Sequence, residues 1–349
     1  MPVFSMKDFD DHEQVVFCRD PASGLNAIIA IHNTARGPAL GGCRMWNYDT
    51  EEDALVDALR LSRGMTYKAA LAGLSSGGGK AVIIGDPGRD KSEALWLAYG
   101  RFVDSLNGRY VTAEDVGTRP ADLEIVRRAT PHVAGIAEGG AGDPSPATAL
   151  GTFTGIQTCI AERLGRVHVK GLKVAVQGLG NVGYALAERL HEAGAELIVS
   201  DINEVAVSKA VRALGASVAA PEAIHAQPVD VFAPCALGAV VNDSTIGEIR
   251  APVIAGSANN QLAEPRHGKA LWKRNVLYAP DYAINAGGVI WVSHEGPAFD
   301  AEKAGTDVLH IGETLTEIFT RARKDGVPPE VAADRVAEER FKVRRDEAA

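Results

Sequence analysis

Short apolar runs alternate with longer amphipathic segments along the chain, a pattern that predicts alternating strands and helices and therefore an α/β fold. In the first third of the chain, strands are predicted at Leu25 to Ile31, Ala81 to Ile84 and Arg109 to Thr112. Thr50, followed by three acidic residues, is the predicted N-cap of a helix that extends towards Lys68. Asp90 is the predicted N-cap of a second helix that extends to Leu106.

The alternation resumes after a glycine- and proline-rich stretch between Ala134 and Pro146, where we expect a domain boundary. Helices are predicted from Ala147 to Leu164 and from the next glycine-rich turn to Ala193. Strands are predicted at Lys173 to Gln177, Glu196 to Ser200, Val229 to Ala233, Val253 to Ala255 and Val276 to Ala279. We therefore predict an α/β domain over residues 1–134 and a doubly wound Rossmann domain over residues 135–325. A helical tail over residues 326–349, after a break at Gly326 to Pro329, is a candidate to pack on the first domain.

Length and charge narrow the class of protein. The 349 residues exceed what one hydrophobic core usually serves, which agrees with two domains. A net charge of −9 without a long basic stretch argues against a nucleic-acid partner. No apolar run reaches the ~20 residues that span a bilayer, and the acidic N-terminus does not resemble a signal peptide. Four widely spaced cysteines (Cys18, Cys43, Cys159 and Cys235) predict no metal or redox motif and fit the reduced thiols of a cytoplasmic protein.

A glycine pattern in the second domain predicts a dinucleotide site. Gly178-Leu179-Gly180-Asn181-Val182-Gly183 is a G-x-G-x-x-G sequence that follows a predicted strand and opens a predicted helix. Glycines permit a tight turn there, and the helix N-terminus faces a pyrophosphate. Asp201 stands 18 residues beyond Gly183, where a carboxylate binds a ribose and repels a 2′-phosphate, and no Lys or Arg lies between Asp201 and Lys209. The pattern favours NAD over NADP, and binding of another nucleotide is the alternative.

Two lysines stand among apolar or small residues. Lys68 ends the run Met65 to Lys68, and Lys80 follows three glycines. The glycines do not form a phosphate loop, because Ala81 follows the lysine. A cationic neighbour and desolvation both lower the pKa of a lysine, so one lysine is a candidate general base while the other holds a carboxylate. Asp115, at a predicted strand end, is a candidate proton-transfer group or, alternatively, a helix cap.

Eight segments carry a resemblance to a known family. They are Gly37 to Arg44, Met65 to Lys68, Gly77 to Lys80, Thr112 to Thr118, Gly142 to Pro146, Gly178 to Gly183, Ala255 to Asn260 and Ala279 to Gly288. With these segments in this order, the chain resembles the glutamate/leucine/phenylalanine/valine dehydrogenase family, and most closely its leucine-specific members. The resemblance implies a first domain that binds substrate, a second that binds NAD, an active site in the cleft between them, and a homo-oligomer.

The resemblance also implies roles for individual residues. Lys80 matches the catalytic lysine, Lys68 the lysine that binds the substrate α-carboxylate, and Asp115 the aspartate that assists proton transfer at the amino group. Further matches are Gly41 and Gly42 against the substrate, Thr148 at the nicotinamide amide, and Asn260 and Asn285 in segments that border the substrate and the nicotinamide. The implied reaction is reversible oxidative deamination, in which hydride leaves Cα, Lys80 activates water against the iminium, and ammonia departs.

The side-chain pocket is expected to select the amino acid. Glutamate-specific relatives have a lysine where this chain has Leu40, so a distal carboxylate would be buried here without a partner. Val289 and Val292, three apart on a predicted helix, share a face, and with Leu40 and Ala113 they are expected to form an aliphatic pocket. Aromatic-specific relatives tend to have glycine at the position of Ala113. The resemblance therefore implies leucine, valine or isoleucine as substrate, with plain core packing as the alternative for these residues.

Two other functions stay open at this point. One is a phenylalanine dehydrogenase of the same family. The other is a catalytically silent NAD-binding sensor, although the presence of Lys68, Lys80 and Asp115 together argues against it. The partners expected in every case are small molecules and further copies of the chain, with neither nucleic acid nor membrane.

Overall fold

The computed structural model describes residues 3–135, 141–236, 238–296 and 298–347, and of residues 343–347 the backbone alone. Part of the glycine-rich stretch predicted as a domain boundary, residues 136–140, lies outside this description. The chain forms two compact units. Unit 1 comprises Met1–Gly142, Val292–Phe299 and Ala337–Ala349, and unit 2 comprises Asp143–Trp291 and Asp300–Val336.

Unit 1 is built on a five-stranded mixed sheet with the strand order β1-β2-β4-β3-β5. Its strands are β1 (Gln14–Asp20), β2 (Leu25–Asn33), β3 (Ala39–Trp46), β4 (Gly77–Ile84) and β5 (Tyr110–Glu114). Its helices before residue 136 are α1 (Glu51–Leu71), α2 (Glu93–Asp104) and α3 (Pro120–Arg127). Strands β3, β4 and β5 run parallel, whereas β2 pairs antiparallel with β1 and with β4. The carboxyl ends of β3, β4 and β5 therefore meet at one edge of the sheet.

Helices cover both faces of this sheet, which explains why its central strands are apolar without alternation. Ile28 and Val82 pack under α1, together with Leu59 of that helix. Ile29 on the opposite face packs against Trp96 of α2. The predicted strands at Leu25 and Ala81 and the predicted α1 are confirmed, including the N-cap, where the Thr50 side chain accepts a hydrogen bond from the Asp53 amide.

Two predicted starts of elements in unit 1 are wrong. Strand β4 begins at Gly77 and not at Ala81. Helix α2 is capped by Ser92, whose Oγ accepts from the Leu95 amide at 3.1 Å, and not by Asp90. The Asp90 carboxylate instead accepts from the Asp86 amide at 2.8 Å, so a preceding turn has taken the oxygen that a cap would need. The last strand runs from Tyr110 to Glu114, and its end lies within the predicted Ala113-Glu114-Asp115, because Ala113 and Glu114 still pair with β3.

Unit 2 is built on a six-stranded, all-parallel sheet with the order β11-β10-β9-β6-β7-β8. Its strands are β6 (Lys173–Gln177), β7 (Glu196–Ser200), β8 (Ser217–Val218), β9 (Val231–Pro234), β10 (Val253–Ile254) and β11 (Leu277–Tyr278). Counted within the unit, this is the 3-2-1-4-5-6 order of a Rossmann fold, so the predicted doubly wound sheet is confirmed. The strands predicted at Val229, Val253 and Val276 are present but shorter than predicted.

The remaining helices complete unit 2 and the C-terminal segment. They are α4 (Ser145–Leu164), α5 (Asn181–Glu192), α6 (Glu204–Leu214), α7 (Pro265–Lys273), α8 (Asp281–Ile284), α9 (Gly287–Ser293), α10 (Ala301–Leu309), α11 (Ile311–Asp325) and α12 (Pro329–Glu347). The predicted break is confirmed, since α11 ends at Gly326 in the left-handed region and α12 begins at Pro329. Within unit 1, the end of α12 packs on α1: Arg340 donates to the carbonyls of Ala70 and Leu71.

Two further features concern the helices and the cysteines. None of the helices in the described ranges is both long enough and apolar enough to cross a membrane. All four cysteines are free, and three of them are buried. Burial raises the pKa of the Cys18 and Cys43 thiols to about 12, so these cysteines are protonated packing residues at neutral pH.

Candidate active site

The structure brings two of the predicted catalytic residues into direct contact. Lys80 lies within β4, is only 5% exposed, and its Nζ is 2.8 Å from Oδ2 of Asp115. Asp115 follows the carboxyl end of β5, two strands away in the sheet order. A buried lysine is expected to have a charged or polar partner. That partner is here a carboxylate from a segment 35 residues away in the sequence.

Arg44 completes this group on the other side of Asp115. Its Nε donates to the same Oδ2 at 3.0 Å. Burial alone would raise the pKa of Asp115, but the two neighbouring cations outweigh burial, so the pKa lies below its usual value. Asp115 is therefore ionised at neutral pH. Among the described residues none donates to its Oδ1, which leaves that oxygen for a ligand.

Arg44 is itself held by a second carboxylate that the sequence analysis did not identify. Its NH1 donates to Oδ2 of Asp57, in α1, at 2.9 Å. The Tyr48 hydroxyl donates to the same Asp57 oxygen at 2.5 Å. In the sequence, Arg44 stands between Gly41-Gly42-Cys43 and Met45-Trp46, and a cation among small and apolar residues was the available signal that it has a partner. The resulting chain of contacts runs from Tyr48 through Asp57, Arg44 and Asp115 to Lys80.

Glycines allow the elements around this group to approach each other closely. A β carbon on Gly78 would lie 2.0 Å from the backbone nitrogen of Thr66, so only glycine permits α1 to lie this close to β4. Lys68 stands two residues after Thr66 in the last turn of α1 and is half-buried. The missing side chain at position 78 thus sets the separation between the helix turn that carries Lys68 and the strand that carries Lys80.

Gly41 and Gly42 have a similar effect on β3. A β carbon on Gly41 would lie 1.7 Å from the carbonyl oxygen of Gly79, and one on Gly42 would lie 2.8 Å from Cβ of Asp115. The Gly41 carbonyl accepts a hydrogen bond from the buried Tyr110 hydroxyl at 2.5 Å. Glycine at position 42 therefore keeps the space beside Asp115 open, which suits the predicted position of a substrate against this backbone.

Sheet register places the predicted specificity residues of unit 1 on the same face as Lys80. Leu40 pairs with Gly78, two residues before Lys80. Ala113 pairs with Gly42, two residues after Leu40. Because side chains alternate along a strand, Leu40, Ala113 and Lys80 all point to the face that α1 covers. Val289 and Val292 lie on α9 and are half-buried, the first in unit 2 and the second in unit 1, and their part in the pocket stays a prediction.

The glycine turn of unit 2 connects β6 to α5. Gly178 has a φ of +97°, and a β carbon on Gly183 would lie 2.0 Å from the Gly178 carbonyl, so the protein itself requires both glycines. A β carbon on Gly180 would meet no protein atom within 4 Å. Packing in the described residues thus does not require glycine at position 180, whereas close approach of a ligand to the backbone does. This turn fits a pyrophosphate at the N-terminus of α5.

Asp201 follows β7 and lies against the same turn. Its Oδ2 accepts from the Leu179 amide at 2.5 Å, and its Oδ1 accepts from the Asn203 amide at 2.8 Å. Both bonds fix the carboxylate, and with it a negative charge, beside the glycine turn. The position suits a ribose hydroxyl and disfavours a phosphate.

The side-chain oxygen of Asn285 is a hydrogen-bond acceptor without a donor among the described residues. Its Nδ2 donates to the Ser257 carbonyl at 3.1 Å and to Oδ1 of Asn259 at 2.7 Å. Its Oδ1 is buried and has no hydrogen-bond partner among the described residues. An acceptor held in this way fits an amide donor on a ligand, as a nicotinamide carries.

The two other residues predicted near the nicotinamide or substrate in unit 2 occupy distinct positions. Thr148 lies in the first turn of α4, where its Oγ1 donates to the Pro144 carbonyl at 3.1 Å. A β carbon on Gly288 would lie 2.6 Å from that Oγ1. Asn260 has a φ of +51°, and its carbonyl accepts from the Ala239 amide at 2.6 Å. Their contacts with ligands stay predictions.

A Rossmann unit with a ligand-ready glycine turn, together with an α/β unit that holds a buried lysine–aspartate pair, defines a dinucleotide-dependent oxidoreductase. Two family models match the chain. The model described as "Glu/Leu/Phe/Val dehydrogenase, dimerisation domain" matches residues 12–132, and that described as "Glutamate/Leucine/Phenylalanine/Valine dehydrogenase" matches residues 139–211 and 201–325. The chain belongs to this family of amino-acid dehydrogenases.

Individual relatives are similar over nearly the whole chain. Leucine dehydrogenase of Geobacillus stearothermophilus is 53% identical over 347 residues, covering 99% of this chain and 95% of the relative. Valine dehydrogenase of Streptomyces virginiae is 50% identical and covers 96% and 95%. The crystal structure of L-tryptophan dehydrogenase from Nostoc punctiforme is 47% identical, with a TM-score of 0.86 over 96% of this chain and 97% of that one. The names of these similar proteins therefore refer to three different amino acids: leucine, valine and tryptophan.

Proposed function

We propose that the protein catalyses the NAD-dependent, reversible oxidative deamination of a branched-chain L-amino acid, namely leucine, valine or isoleucine, to the 2-oxo acid and ammonia. The observation that carries the proposal is the buried Lys80–Asp115 pair, in which the Oδ1 of Asp115 is left for a ligand. Leu40 lies on the same face of the sheet and supplies an apolar surface to the side chain of the amino acid.

The residues of unit 1 divide the chemistry between them. Lys68 holds the substrate α-carboxylate through its ammonium group. Asp115, ionised at neutral pH, accepts a proton from the substrate ammonium at Oδ1, so that the neutral amine is ready to lose hydride from Cα. Lys80 in its neutral form removes a proton from water as the oxygen attacks the iminium carbon. Lys80 returns that proton to the nitrogen and then takes the remaining proton of the hydroxyl group, so that ammonia leaves as the carbonyl of the 2-oxo acid forms.

The dinucleotide belongs to unit 2. The backbone from Gly178 to Gly183 would hold the pyrophosphate, Asp201 the ribose and Asn285 the nicotinamide amide, with Thr148 as a second polar contact. When bound, NAD supplies the hydride acceptor. We propose NAD rather than NADP because the Asp201 carboxylate repels a 2′-phosphate, and no Lys or Arg up to Lys209 offsets that repulsion.

Preference for a branched side chain follows from Leu40 and Ala113. A glutamate side chain would place a carboxylate against Leu40 without a counter-ion, which disfavours its binding. The methyl group of Ala113 occupies space on the same face that an aromatic ring needs. Discrimination among leucine, valine and isoleucine rests on single methylenes, worth about 1–3 kcal/mol each.

We also propose that the chain forms homo-oligomers in the cytoplasm. The family model that matches unit 1 is described as a dimerisation domain. The edge strand β1 of unit 1 leaves Phe17 61% exposed, an apolar group that a second copy would cover. The four free cysteines suit a reducing compartment.

A panel of amino acids tests the proposed function. Initial rates of NADH formation are measured at mildly alkaline pH with L-leucine, L-valine, L-isoleucine, L-phenylalanine, L-tryptophan and L-glutamate, each with NAD and with NADP. We expect the highest kcat/KM for a branched aliphatic substrate with NAD. A higher kcat/KM for an aromatic substrate would refute the assignment of the pocket. The variant Lys80→Ala is expected to bind NAD without turnover, whereas NAD binding without turnover by the unaltered protein would indicate a sensor.

A further inference from the structure

Arg44 and Lys80 bind the same oxygen of Asp115. Nε of Arg44 and Nζ of Lys80 lie 3.0 and 2.8 Å from Oδ2, in a group where Lys80 is 5% exposed. With Asp57 on the far side of Arg44, the group contains two cations and two carboxylates. Its charges therefore balance as long as Lys80 is protonated.

The proposed reaction breaks this balance. Lys80 must give up its proton before it can act as a base, and Asp115 then loses one of its two cationic partners. A buried carboxylate without a cation takes up a proton, because burial disfavours its charged form. Arginine cannot lose its charge in a protein, so Arg44 remains a cation throughout the cycle. Of the two cations among the described residues that contact Asp115, Arg44 is the one whose charge no step removes.

We propose that Arg44 is a positioning residue that keeps Asp115 ionised, with its Oδ1 turned to the substrate, while Lys80 is neutral and before Asp115 takes the proton of the substrate ammonium. The inference rests on the proposed roles of Lys80 and Asp115. The geometry favours this role, because Arg44 contacts only Oδ2 of Asp115. Oδ1 receives no hydrogen bond from the described residues and can face the substrate. Arg44 is itself held in place, since its NH1 donates to Oδ2 of Asp57 at 2.9 Å.

The titratable groups near this carboxylate come from each surrounding element. Arg44 on β3 and Lys80 on β4 contact it, Asp57 on α1 and then Tyr48 lie behind Arg44, and Cys43 on β3 and Tyr110 on β5 lie in the core on the other face of the sheet. Burial raises the pKa of Cys43, Tyr48 and Tyr110, so these three groups stay neutral over the working range. Arg44 and Asp57 are then the fixed charges, one of each sign, whose removal shifts the proton affinity of the Lys80–Asp115 pair.

Two substitutions with opposite effects test the proposal. The measurement is the pH dependence of kcat/KM for deamination of L-leucine at saturating NAD, whose acidic limb reports the titration of the pair as one unit. Arg44→Gln removes the positive charge, and we expect the acidic limb to move to higher pH by about one unit. Asp57→Asn removes the negative charge behind Arg44, and we expect a smaller movement to lower pH. Arg44→Lys keeps the charge but not the two-sided contact, so kcat should fall while the limb stays near that of the unaltered protein.

The outcomes separate this inference from the proposed function. Equal loss of kcat in Arg44→Gln and Arg44→Lys, with neither limb displaced, would mean that Arg44 only supports the fold and would overturn the proposal. Movement of the limb in the same direction in Arg44→Gln and Asp57→Asn would overturn it as well. If Arg44→Gln does not fold, as judged by its thermal transition, the direction of the Asp57→Asn shift alone decides. Absence of turnover by the unaltered protein with every amino acid of the panel would instead refute the proposed function, and full activity of Lys80→Ala would remove Lys80 from its mechanism, whatever Arg44 does.

Discussion

Replacing Gly78 with alanine tests whether a missing side chain sets the distance between Lys68 and Lys80. The new Cβ would lie 2.0 Å from the Thr66 nitrogen and 2.3 Å from its Oγ1, against 3.4 Å for ordinary contact, so α1 and β4 must separate by more than 1 Å. Thr66 has little freedom to yield, because it is 2% exposed and its Oγ1 is hydrogen-bonded to buried His32 at 2.8 Å.

Two consequences follow from that separation. The displacement moves the helix turn that carries Lys68 away from the strand that carries Lys80. Misplacement by about 1 Å in an active site costs about 100-fold in rate. We therefore expect kcat/KM for L-leucine to fall by about two orders of magnitude. The free energy of unfolding should fall by about 1–3 kcal/mol, the usual cost of overpacking a core.

The matched control is Gly305→Ala, the same substitution within α10, where a new Cβ would meet no atom within 4 Å. Alanine is the better helix former by about 1 kcal/mol, so this variant should be equally or more stable and fully active. Urea unfolding followed by circular dichroism and steady-state kinetics measure both effects. Retention of kcat/KM within a few-fold in Gly78→Ala would refute the claim that glycine at 78 sets the spacing of the two lysines.

Two further substitutions address the cofactor and the C-terminal helix. Asp201→Ala should reduce the preference for NAD over NADP, measured as the ratio of kcat/KM values, because the repulsion of a 2′-phosphate is lost; an unchanged ratio would assign selectivity to another residue. Arg340→Ala removes a charged donor to the carbonyls of Ala70 and Leu71 and should lower the free energy of unfolding by about 1–3 kcal/mol. Arg340→Lys should recover part of that loss, and equal stability of both variants with the unaltered protein would show that water replaces the guanidinium.

The Rossmann unit was the part of the fold that the sequence predicted best, because the patterns that indicate its strands, turn and helix are local. The strand Lys173–Gln177, the glycine turn and helix α5 follow one another without interruption, and the observed strand matches the predicted one. Local signals also compete, and the cap of α2 shows how a prediction fails. Asp90 and Ser92 are both good caps by residue type, but the turn at Asp86 uses the Asp90 carboxylate and leaves the cap to Ser92.

Only part of the candidate active site could be predicted from the sequence. Lys80 and Asp115 could be proposed as functional residues from their neighbours in the sequence. The lysine follows three glycines, and the aspartate stands at a predicted strand end. Their 2.8 Å contact and the partners of Arg44 could not be proposed, because they join β3, β4, β5 and α1 across long sequence separations. Sheet register decides such contacts, and register depends on every pairing in the sheet.

The sequence by itself determined the fold class, the glycine turn for a dinucleotide, the position of Asp201 after the second Rossmann strand and the residue types available for chemistry. Each of these depends on neighbours a few positions away, within reach of a turn, a cap or a helix period. Tertiary structure decided that Lys80 and Arg44 bind one oxygen of Asp115, that Asp57 anchors Arg44, and that Gly78 admits α1 to the sheet. Those contacts arise only when parallel strands bring their carboxyl ends to one edge and a helix packs across their face.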